Sequence, residues 1–160
     1  MFYYPRMEVE YREEPCRSAL NRVQGMGFSW SLNPYMGCAH RCTFCYVRAY
    51  ELRADRPSGE RYGRSIRVKV NVAEVLRAEL SRRSWRGEVV AIGAATDPYQ
   101  PAEGRYKLTR ACLMAAVVAS RKHFDKEERI VFPMAERVLN ARTLSALGDK
   151  WVVRRNAEHD

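Results

Sequence analysis

Residues 33–46, with the sequence NPYMGCAHRCTFCY, place Cys38, Cys42 and Cys45 within eight residues. Thiolates this close along the chain can converge on one metal centre, so the spacing C-x3-C-x2-C predicts a metal site. Tetrahedral zinc would need a fourth ligand, normally from a distant second pair, and the two other cysteines stand alone. Iron–sulfur clusters usually take four cysteines, so three would leave one iron open, as in catalytic metal sites. The missing fourth cysteine therefore favours a catalytic iron–sulfur site over a structural zinc site.

The sequence on both sides of this stretch alternates between strand and helix patterns. In residues 28–35 apolar residues alternate with polar ones as far as Pro34, which predicts a strand. The run at residues 89–92 is continuously apolar, as is typical of a parallel strand covered on both faces. Between these strands Asn71 resembles a helix cap, and apolar residues then repeat at helical spacing as far as Leu80.

The remainder of the chain extends this alternation. After a polar loop, a second helix is predicted from Leu108, in which Cys112 is most simply a small buried residue. Three further elements are predicted: a strand at residues 130–132, a helix at residues 134–147 that ends at Gly148, and a short strand at residues 151–153. Alternating strands and helices predict an α/β fold with a largely parallel sheet.

Two loops follow the carboxyl ends of predicted strands, where the working groups of parallel α/β folds lie. We call residues 37–46 the cysteine loop and residues 93–103 the second loop. The cysteine loop follows the first predicted strand, and the second loop follows the strand at residues 89–92. If these strands are neighbours, the two loops face one another across a pocket.

The composition is that of a basic globular chain. Its 160 residues suffice for one domain with a core, and 46% hydrophobic and 29% charged residues are ordinary for such a domain. No run approaches the ~18 apolar residues of a membrane span, and the first residues do not resemble a secretory signal. Because three of the five cysteines are clustered, we predict a reduced, cytoplasmic protein rather than a disulfide framework, with Cys16 an incidental thiol.

The net charge of +9 is consistent with a polyanionic partner such as nucleic acid, although many basic proteins bind none. Residues 46–69, which we call the basic segment, interleave seven arginines and lysines with three tyrosines. A surface for single-stranded or flipped bases would use this mixture. The preferred interpretation is a solvated loop whose arginines offset the negative charge of a cluster.

The cysteine spacing, with the aromatic Phe44 before the third cysteine, resembles the signature of the radical S-adenosylmethionine (radical SAM) enzymes. Within that superfamily the chain is similar to the branch related to spore photoproduct lyase. The similarity extends over residues 18–120. It rests on three further stretches: WSLNPY at residues 30–35, VKVN at residues 68–71 and TDPYQP at residues 96–101.

The resemblance implies a 4Fe-4S cluster held by Cys38, Cys42 and Cys45, with S-adenosyl-L-methionine as cosubstrate on the open iron. An electron from an external one-electron reductant would cleave the cosubstrate. The resulting 5′-deoxyadenosyl radical would abstract hydrogen from an unidentified, possible nucleic-acid substrate. In such enzymes the cofactor performs the difficult chemistry, and the protein supplies orientation and excludes water.

The resemblance also implies which residues contact the cosubstrate. Phe44 and Tyr46 would lie beside it, with Phe44 near the adenine, and Thr96 and Asp97 would accept hydrogen bonds from its ammonium group or ribose. From the residues alone, Phe44 could instead be a core aromatic beneath the loop, and Asp97-Pro98 a turn or helix cap. No catalytic residue is assigned.

Two departures from the family pattern bear on activity. Ala94 occupies the position of the cysteine that returns hydrogen to the product in spore photoproduct lyases, so thymine-dimer repair by that route is not expected. The family's third strand ends in a threonine–lysine pair, and the sequence from Arg121 onward has none.

Length limits the fold that the resemblance implies. A full eight-unit barrel needs ~250 residues, whereas 123 residues follow from Cys38 to the end. We therefore predict an incomplete parallel (β/α) barrel of three to four strand–helix units, with a partner chain that supplies the missing strands. The predicted organisation is an N-terminal extension (residues 1–27), a radical SAM core (residues 28–120) and a C-terminal segment of unassigned origin (residues 121–160).

Three hypotheses for function follow from the sequence. The first is a radical SAM enzyme, or the cluster-binding half of one. The second is a basic metal-binding module that contacts nucleic acid without catalysis. The third is an inactive, truncated fragment.

Overall fold

The computed structural model describes residues 8–53, 56 and 59–157. By its internal contacts the chain divides into two compact units, residues 1–119 and residues 120–160. The first unit holds the strands and both loops, and the described part of the second unit is helical apart from a short connection.

Six short strands build the first unit. They are β1 (Glu10–Glu14), β2 (Leu20–Arg22), β3 (Trp30–Leu32), β4 (Tyr35–Met36), β5 (Ser65–Lys69) and β6 (Val90–Ile92). One sheet has the strand order β1–β5–β4, and the other has the order β2–β3–β6. In each sheet one pair of strands is parallel and the other is antiparallel.

The predicted incomplete parallel barrel is wrong. Pro34, which cannot donate a hydrogen bond to a neighbouring strand, follows β3. There the chain leaves the second sheet and continues as β4, which pairs antiparallel with β5 of the first sheet. The described part of the chain therefore forms two small mixed sheets and no series of parallel strand–helix units.

The segment before residue 28 supplies one strand to each sheet. Strand β1 pairs in parallel with β5, and β2 pairs antiparallel with β3. The sequence of β1 is EYREE, which has no alternation of apolar and polar residues. Nothing in the sequence therefore indicated that these residues form a strand.

The helices of this region are α1 (Val47–Arg53), α2 (Val72–Leu80), α3 (Pro101–Tyr106) and α4 (Leu108–Lys126), of which α4 continues into the second unit. The predicted helix from Val72 to Leu80 is confirmed, and it buries Val72 and Leu76 in the core. Cys112 in α4 is fully buried, as predicted, and burial raises the pKa of its thiol to about 12. It is thus a neutral core residue.

Two polar side chains attach the N-terminal segment to α2. Asn71 precedes the helix as predicted, but its side chain does not cap it. Instead, the Asn71 amide accepts a hydrogen bond from the Cys16 backbone N–H at 2.7 Å and donates one to the Cys16 carbonyl at 3.1 Å. The buried Glu79 carboxylate accepts hydrogen bonds from Ser18, Ala19 and Leu20.

The second unit differs from its prediction. Residues 130–132 and 151–153 were expected as strands, yet they lie in a π-helical turn (Glu127–Val131), in α5 (Phe132–Val138) and in α6 (Ala141–Ala157). Apolar triplets specify strands only where a sheet offers a partner, and the flanking residues here favour helix. Pro133 lies in the first turn of α5, where proline is tolerated.

Gly148 does not end a helix, because α6 continues through it. A glycine inside a helix costs about 1 kcal/mol relative to alanine, which neighbouring residues can offset. None of the helices in the described residues is both long enough and apolar enough to cross a lipid bilayer.

Candidate functional site

The cysteine loop and the second loop lie side by side, as predicted from the two strands. Strands β3 and β6 are parallel neighbours, with Leu32 opposite Ile92. Beyond their ends, the Gly93 N–H donates to the Leu32 carbonyl at 3.0 Å, and the Ala95 N–H donates to the Asn33 side chain at 2.8 Å. The second loop therefore starts at the carboxyl end of β6, whereas the chain beyond β3 passes through β4 of the other sheet before it enters the cysteine loop.

A buried pair of side chains joins the two loops. Gln100 is fully buried; its side-chain oxygen accepts a hydrogen bond from the Ala39 N–H at 3.1 Å, and its amide nitrogen donates to the Gly37 carbonyl at 3.1 Å. The same nitrogen donates to the Thr96 hydroxyl at 2.8 Å, which in turn donates to the Gly37 carbonyl at 2.7 Å. Side chains of the second loop thus hold the peptide groups on both sides of Cys38.

Two more contacts join the loops nearer to solvent. The Tyr46 hydroxyl donates a hydrogen bond to the Ala94 carbonyl. His40 Nε2 lies 3.5 Å from a carboxylate oxygen of Asp97. These contacts link the rims of the two loops. An open cleft of about 340 Å³ lies elsewhere along the cysteine loop, where its lining includes Ala39 and Arg41 but no residue of the second loop.

The turn before β5 packs against the backbone of the cysteine loop. Gly63 has a φ of +71°, and a Cβ built there would lie 2.2 Å from the Cys38 carbonyl oxygen and 2.6 Å from Cγ of Arg41. No side chain fits in that space. Tyr62 beside it is 2% exposed, and its hydroxyl lies 3.7 Å from Cys45 Sγ. Burial, and then the neighbouring Cys45, raise the pKa of the Tyr62 hydroxyl.

Two arginines hold the loop from the same side. Arg48 donates from Nε to the Cys42 carbonyl and from Nη2 to the Arg41 carbonyl, both at 2.9 Å, and its guanidinium lies 4.4 Å from the centre of the Tyr62 ring. Arg41 donates to the Tyr62 and Glu60 carbonyls. In the basic segment, therefore, Arg48 is not a solvated side chain but part of the structure that shapes the cysteine loop.

The three cysteines differ in exposure. Cys38 is buried, with 8% of its surface exposed, whereas Cys42 and Cys45 are partly exposed. Among the described residues no three His, Cys, Asp or Glu side chains are gathered closely enough to hold a metal ion. The donor set itself fits iron, because three thiols lie on one short loop beside two arginines. Cluster binding therefore requires the thiols to turn toward one another within this loop.

Of the residues predicted to contact a cosubstrate, the two aromatic ones are at the surface. Phe44 is 89% exposed and Tyr46 is 56% exposed. The interpretation of Phe44 as a core aromatic is therefore wrong. Tyr99 on the second loop is also largely exposed, and Tyr50 packs edge-on against Tyr46 with ring centres 5.9 Å apart.

The two polar residues have protein partners. Thr96 is buried and its hydroxyl is used to join the loops. Asp97 is exposed; one carboxylate oxygen accepts a hydrogen bond from the Tyr99 N–H at 2.7 Å, which forms a turn, and the other faces His40. The interpretation of Asp97 as a turn residue matches this contact. The interpretation as a helix cap does not, because the residue that precedes α3 is Gln100. Asp97 therefore remains accessible to a ligand.

Glu103, in the first turn of α3, fixes the start of α4. Its carboxylate accepts hydrogen bonds from the Tyr35 hydroxyl at 2.5 Å and from the backbone N–H groups of Thr109 and Arg110 at 2.9 and 3.0 Å. Burial opposes ionisation of this carboxyl, but the hydrogen bonds from Tyr35, Arg110 and Thr109 outweigh it, and the pKa of Glu103 is lowered.

We expect Glu103→Gln to lower the free energy of unfolding by about 1–3 kcal/mol at neutral pH, because hydrogen bonds to a charged acceptor are lost. Because the pKa of Glu103 is lower in the folded state, its ionised carboxylate stabilises the folded protein at pH values above the unfolded pKa of about 4.3. This stabilisation disappears as the pH falls through the folded pKa. Urea unfolding of both proteins across acidic pH measures the difference. Glu74→Gln, at an exposed position in α2, is the control; an equal change in both variants would contradict this role of Glu103.

The sequence analysis did not identify the residues that pack against the cysteine loop and fix its backbone. Gln100, Tyr62, Gly63 and Arg48 have no spacing that relates them to the cysteines, since their contacts cross 6 to 63 residues of chain. Gln100 lies within the TDPYQP stretch and the other three lie within the basic segment, but neither signal related these residues to the cysteines.

Comparison with known proteins gives relatives whose description is "uncharacterized protein". One, from Mycobacterium tuberculosis, is 44% identical over 115 residues, which are 70% of this chain and 34% of that protein. One from Methanocaldococcus jannaschii is 24% identical over 106 residues, 66% of this chain and 38% of that protein. One from the Acidianus two-tailed virus is 30% identical over 102 residues, 58% of this chain and 32% of that protein.

The chain thus spans about a third of the length of the curated relatives it matches. No protein-family model matches the sequence. No solved structure matches it either.

Proposed function

We propose that this chain is the cluster-binding and cosubstrate-binding part of a radical SAM enzyme that works in the reducing cytoplasm. The observation that supports this most is the junction of the two loops. A loop with three cysteines is fixed by hydrogen bonds to a second loop at the carboxyl edge of the parallel pair β3 and β6. This edge is where α/β proteins place their working groups.

In this proposal Cys38, Cys42 and Cys45 hold a 4Fe-4S cluster. When bound, such a cluster supplies the electron that cleaves S-adenosylmethionine to methionine and a 5′-deoxyadenosyl radical, and an external one-electron reductant replaces that electron. Arg41 and Arg48 keep the loop backbone in place and put positive charge near the thiolates.

The chain's other residues would orient the cosubstrate. Asp97, exposed on the second loop, is placed to accept a hydrogen bond from an ammonium or ribose hydroxyl group. Phe44 and Tyr46 of the cysteine loop offer exposed rings on which an adenine could stack. Thr96 acts indirectly, because its hydroxyl is used to fix Gly37.

Cleavage of the cosubstrate tests this proposal. We expect the reduced, cluster-loaded protein to release 5′-deoxyadenosine slowly without a substrate, because an exposed site is not a dry, preorganised one. Asp97→Ala should weaken cosubstrate binding by about 1.5–3 kcal/mol, the worth of one charged hydrogen bond. Asp97→Asn, which keeps an acceptor for the Tyr99 N–H, separates loss of the charge from loss of the turn. A fully loaded protein that releases no 5′-deoxyadenosine would contradict the proposal and favour an inactive fragment.

A second candidate function is binding of single-stranded nucleic acid, with or without catalysis. It is favoured by the exposed rings of Phe44, Tyr46, Tyr50 and Tyr99. Arginines of the basic segment lie near some of them, as where the Arg53 guanidinium is 4.8 Å from the centre of the Tyr50 ring. Exposed aromatic rings among arginines are what stacking of unpaired bases requires.

We expect log affinity for a single-stranded oligonucleotide to fall linearly with log salt, measured by fluorescence anisotropy. Phe44→Ala should weaken binding by about 1–3 kcal/mol and leave the salt slope unchanged, because stacking releases no counterions. Arg61→Ala should reduce the slope by about 0.7, and Phe124→Ala, an exposed phenylalanine in the second unit, should change neither. No binding at low salt would exclude this function.

We also propose that further strands, from a partner chain or a longer polypeptide, complete the active protein. Strand β6 lies at an edge of its sheet, and Val89 beside it is 70% exposed. An unpaired edge can accept another strand. The relatives are about three times as long as the region they share with this chain, so they have the residues to provide one.

A further inference from the structure

Gln100 holds the first cysteine of the loop from both sides. Its side-chain amide receives a hydrogen bond from the Ala39 N–H and donates one to the Gly37 carbonyl, so both peptide groups that flank Cys38 are bound to one side chain. Gln100 is 0% exposed and Cys38 is 8% exposed. The backbone on both sides of Cys38 is thereby held by one buried side chain, while Cys42 and Cys45 are partly exposed.

We propose that Gln100 is a positioning residue that orients Cys38 toward the metal. Through Gln100, the position of Cys38 depends on the conformation of the second loop. The role in metal binding rests on the proposed function, whereas the effect on Cys38 itself does not. Gln100 and Asp97 belong to one short turn, in which the Gln100 N–H donates to the Asp97 carbonyl at 3.3 Å. A ligand that binds Asp97 would therefore change the position of Cys38 through Gln100.

The chain contains a matched control for this arrangement. The Asn71 amide binds the N–H and the carbonyl of Cys16 in the same bidentate manner, at 2.7 and 3.1 Å. Cys16 lies outside the cysteine loop. Gln100→Met removes two backbone hydrogen bonds and the one to the Thr96 hydroxyl, and Asn71→Leu removes two backbone hydrogen bonds, in each case without much change in side-chain volume. A merely structural role predicts that the reactivity of Cys38 follows the loss of stability in each variant, whether the bonds removed are those of Gln100 or those of Asn71.

The first measurement is alkylation of the metal-free protein by iodoacetamide, with each cysteine followed by mass spectrometry. We expect Gln100→Met to accelerate alkylation of Cys38 at least about tenfold over wild type, because loss of the buried hydrogen bonds lets the loop open more often. Asn71→Leu should leave Cys38 protected. Unchanged protection of Cys38 in Gln100→Met, or equal acceleration in both variants, would overturn the proposal.

The second measurement is loss of iron from the reconstituted protein to a chelator. Residues that orient a metal ligand typically affect metal affinity about 10- to 100-fold, so Gln100→Met should lose iron faster by about that factor. Asn71→Leu should retain iron like wild type. Equal retention in Gln100→Met and wild type would overturn the proposal. Wild-type protein that takes up no iron would overturn the proposed function, and the alkylation rates would then decide the role of Gln100.

Discussion

Replacing any one of Cys38, Cys42 and Cys45 by alanine is expected to abolish binding of the iron–sulfur cluster. The physical reason is that three thiolates already leave one iron without a protein ligand, so a further loss leaves two ligands for four irons. No other cysteine lies within the loop that could take the vacant place. The expected result is a colourless protein with iron near zero after anaerobic reconstitution and desalting.

Cys16→Ala and Cys112→Ala are the controls for these variants. Cys112 is fully buried in α4, and Cys16 is held by Asn71 in the N-terminal segment. Both variants should therefore bind as much iron as wild type. A cluster that survives any one of the three loop substitutions, or that is lost with Cys16 or Cys112, would show that the ligand set has been assigned incorrectly.

Gly63→Ala is expected to have the next largest effect, on the stability of the cysteine loop. The added Cβ would lie 2.2 Å from the Cys38 carbonyl oxygen, a backbone atom that cannot move without displacing the loop. The left-handed φ of +71° adds about 1–2 kcal/mol for a residue with a Cβ, and overpacking adds about 1–3 kcal/mol. We expect Gly63→Ala to lower the free energy of unfolding, measured with urea, by about 2–5 kcal/mol and to bind little iron.

Gly87→Ala separates the two causes. Gly87 has nearly the same backbone conformation, with a φ of +72°, but no atom lies within 4 Å of a Cβ built there. Gly87→Ala should therefore lower the free energy of unfolding only by the cost of the left-handed backbone conformation, about 1–2 kcal/mol, and should bind iron normally. If the two alanine variants are equally stable and bind equal iron, the close packing of the turn before β5 against Cys38 does not matter to the site.

The sequence predicted what depends on local pattern. Helix α2 follows from the apolar spacing between Val72 and Leu80, and the strand β6 follows from a short apolar run. These features depend on side-chain periodicity and chain direction, which a sequence contains. The expected cover on both faces of that strand was wrong, because β6 lies at a sheet edge and its residues are only partly buried.

The rest depends on partners that are distant in the chain. Strand β1 is too charged to show a pattern, and the antiparallel pairing of β4 with β5 depends on where Pro34 turns the chain. The triplets at residues 130–132 and 151–153 lack a sheet to join, and they are helical. In the site, the exposure of Phe44 and the burial of Gln100 are likewise set by packing that no local spacing encodes.

The central claim, that the cysteine loop and the second loop together form a cluster and cosubstrate site, is tested most directly on one reconstituted sample. Iron and sulfide are counted, and the electron paramagnetic resonance spectrum of the reduced protein is recorded with and without S-adenosylmethionine. We predict about four irons and four sulfides per chain and a spectrum that the cosubstrate changes, because it binds the open iron. One tightly bound zinc with no iron uptake, or a cluster whose spectrum the cosubstrate leaves unchanged, would contradict the claim.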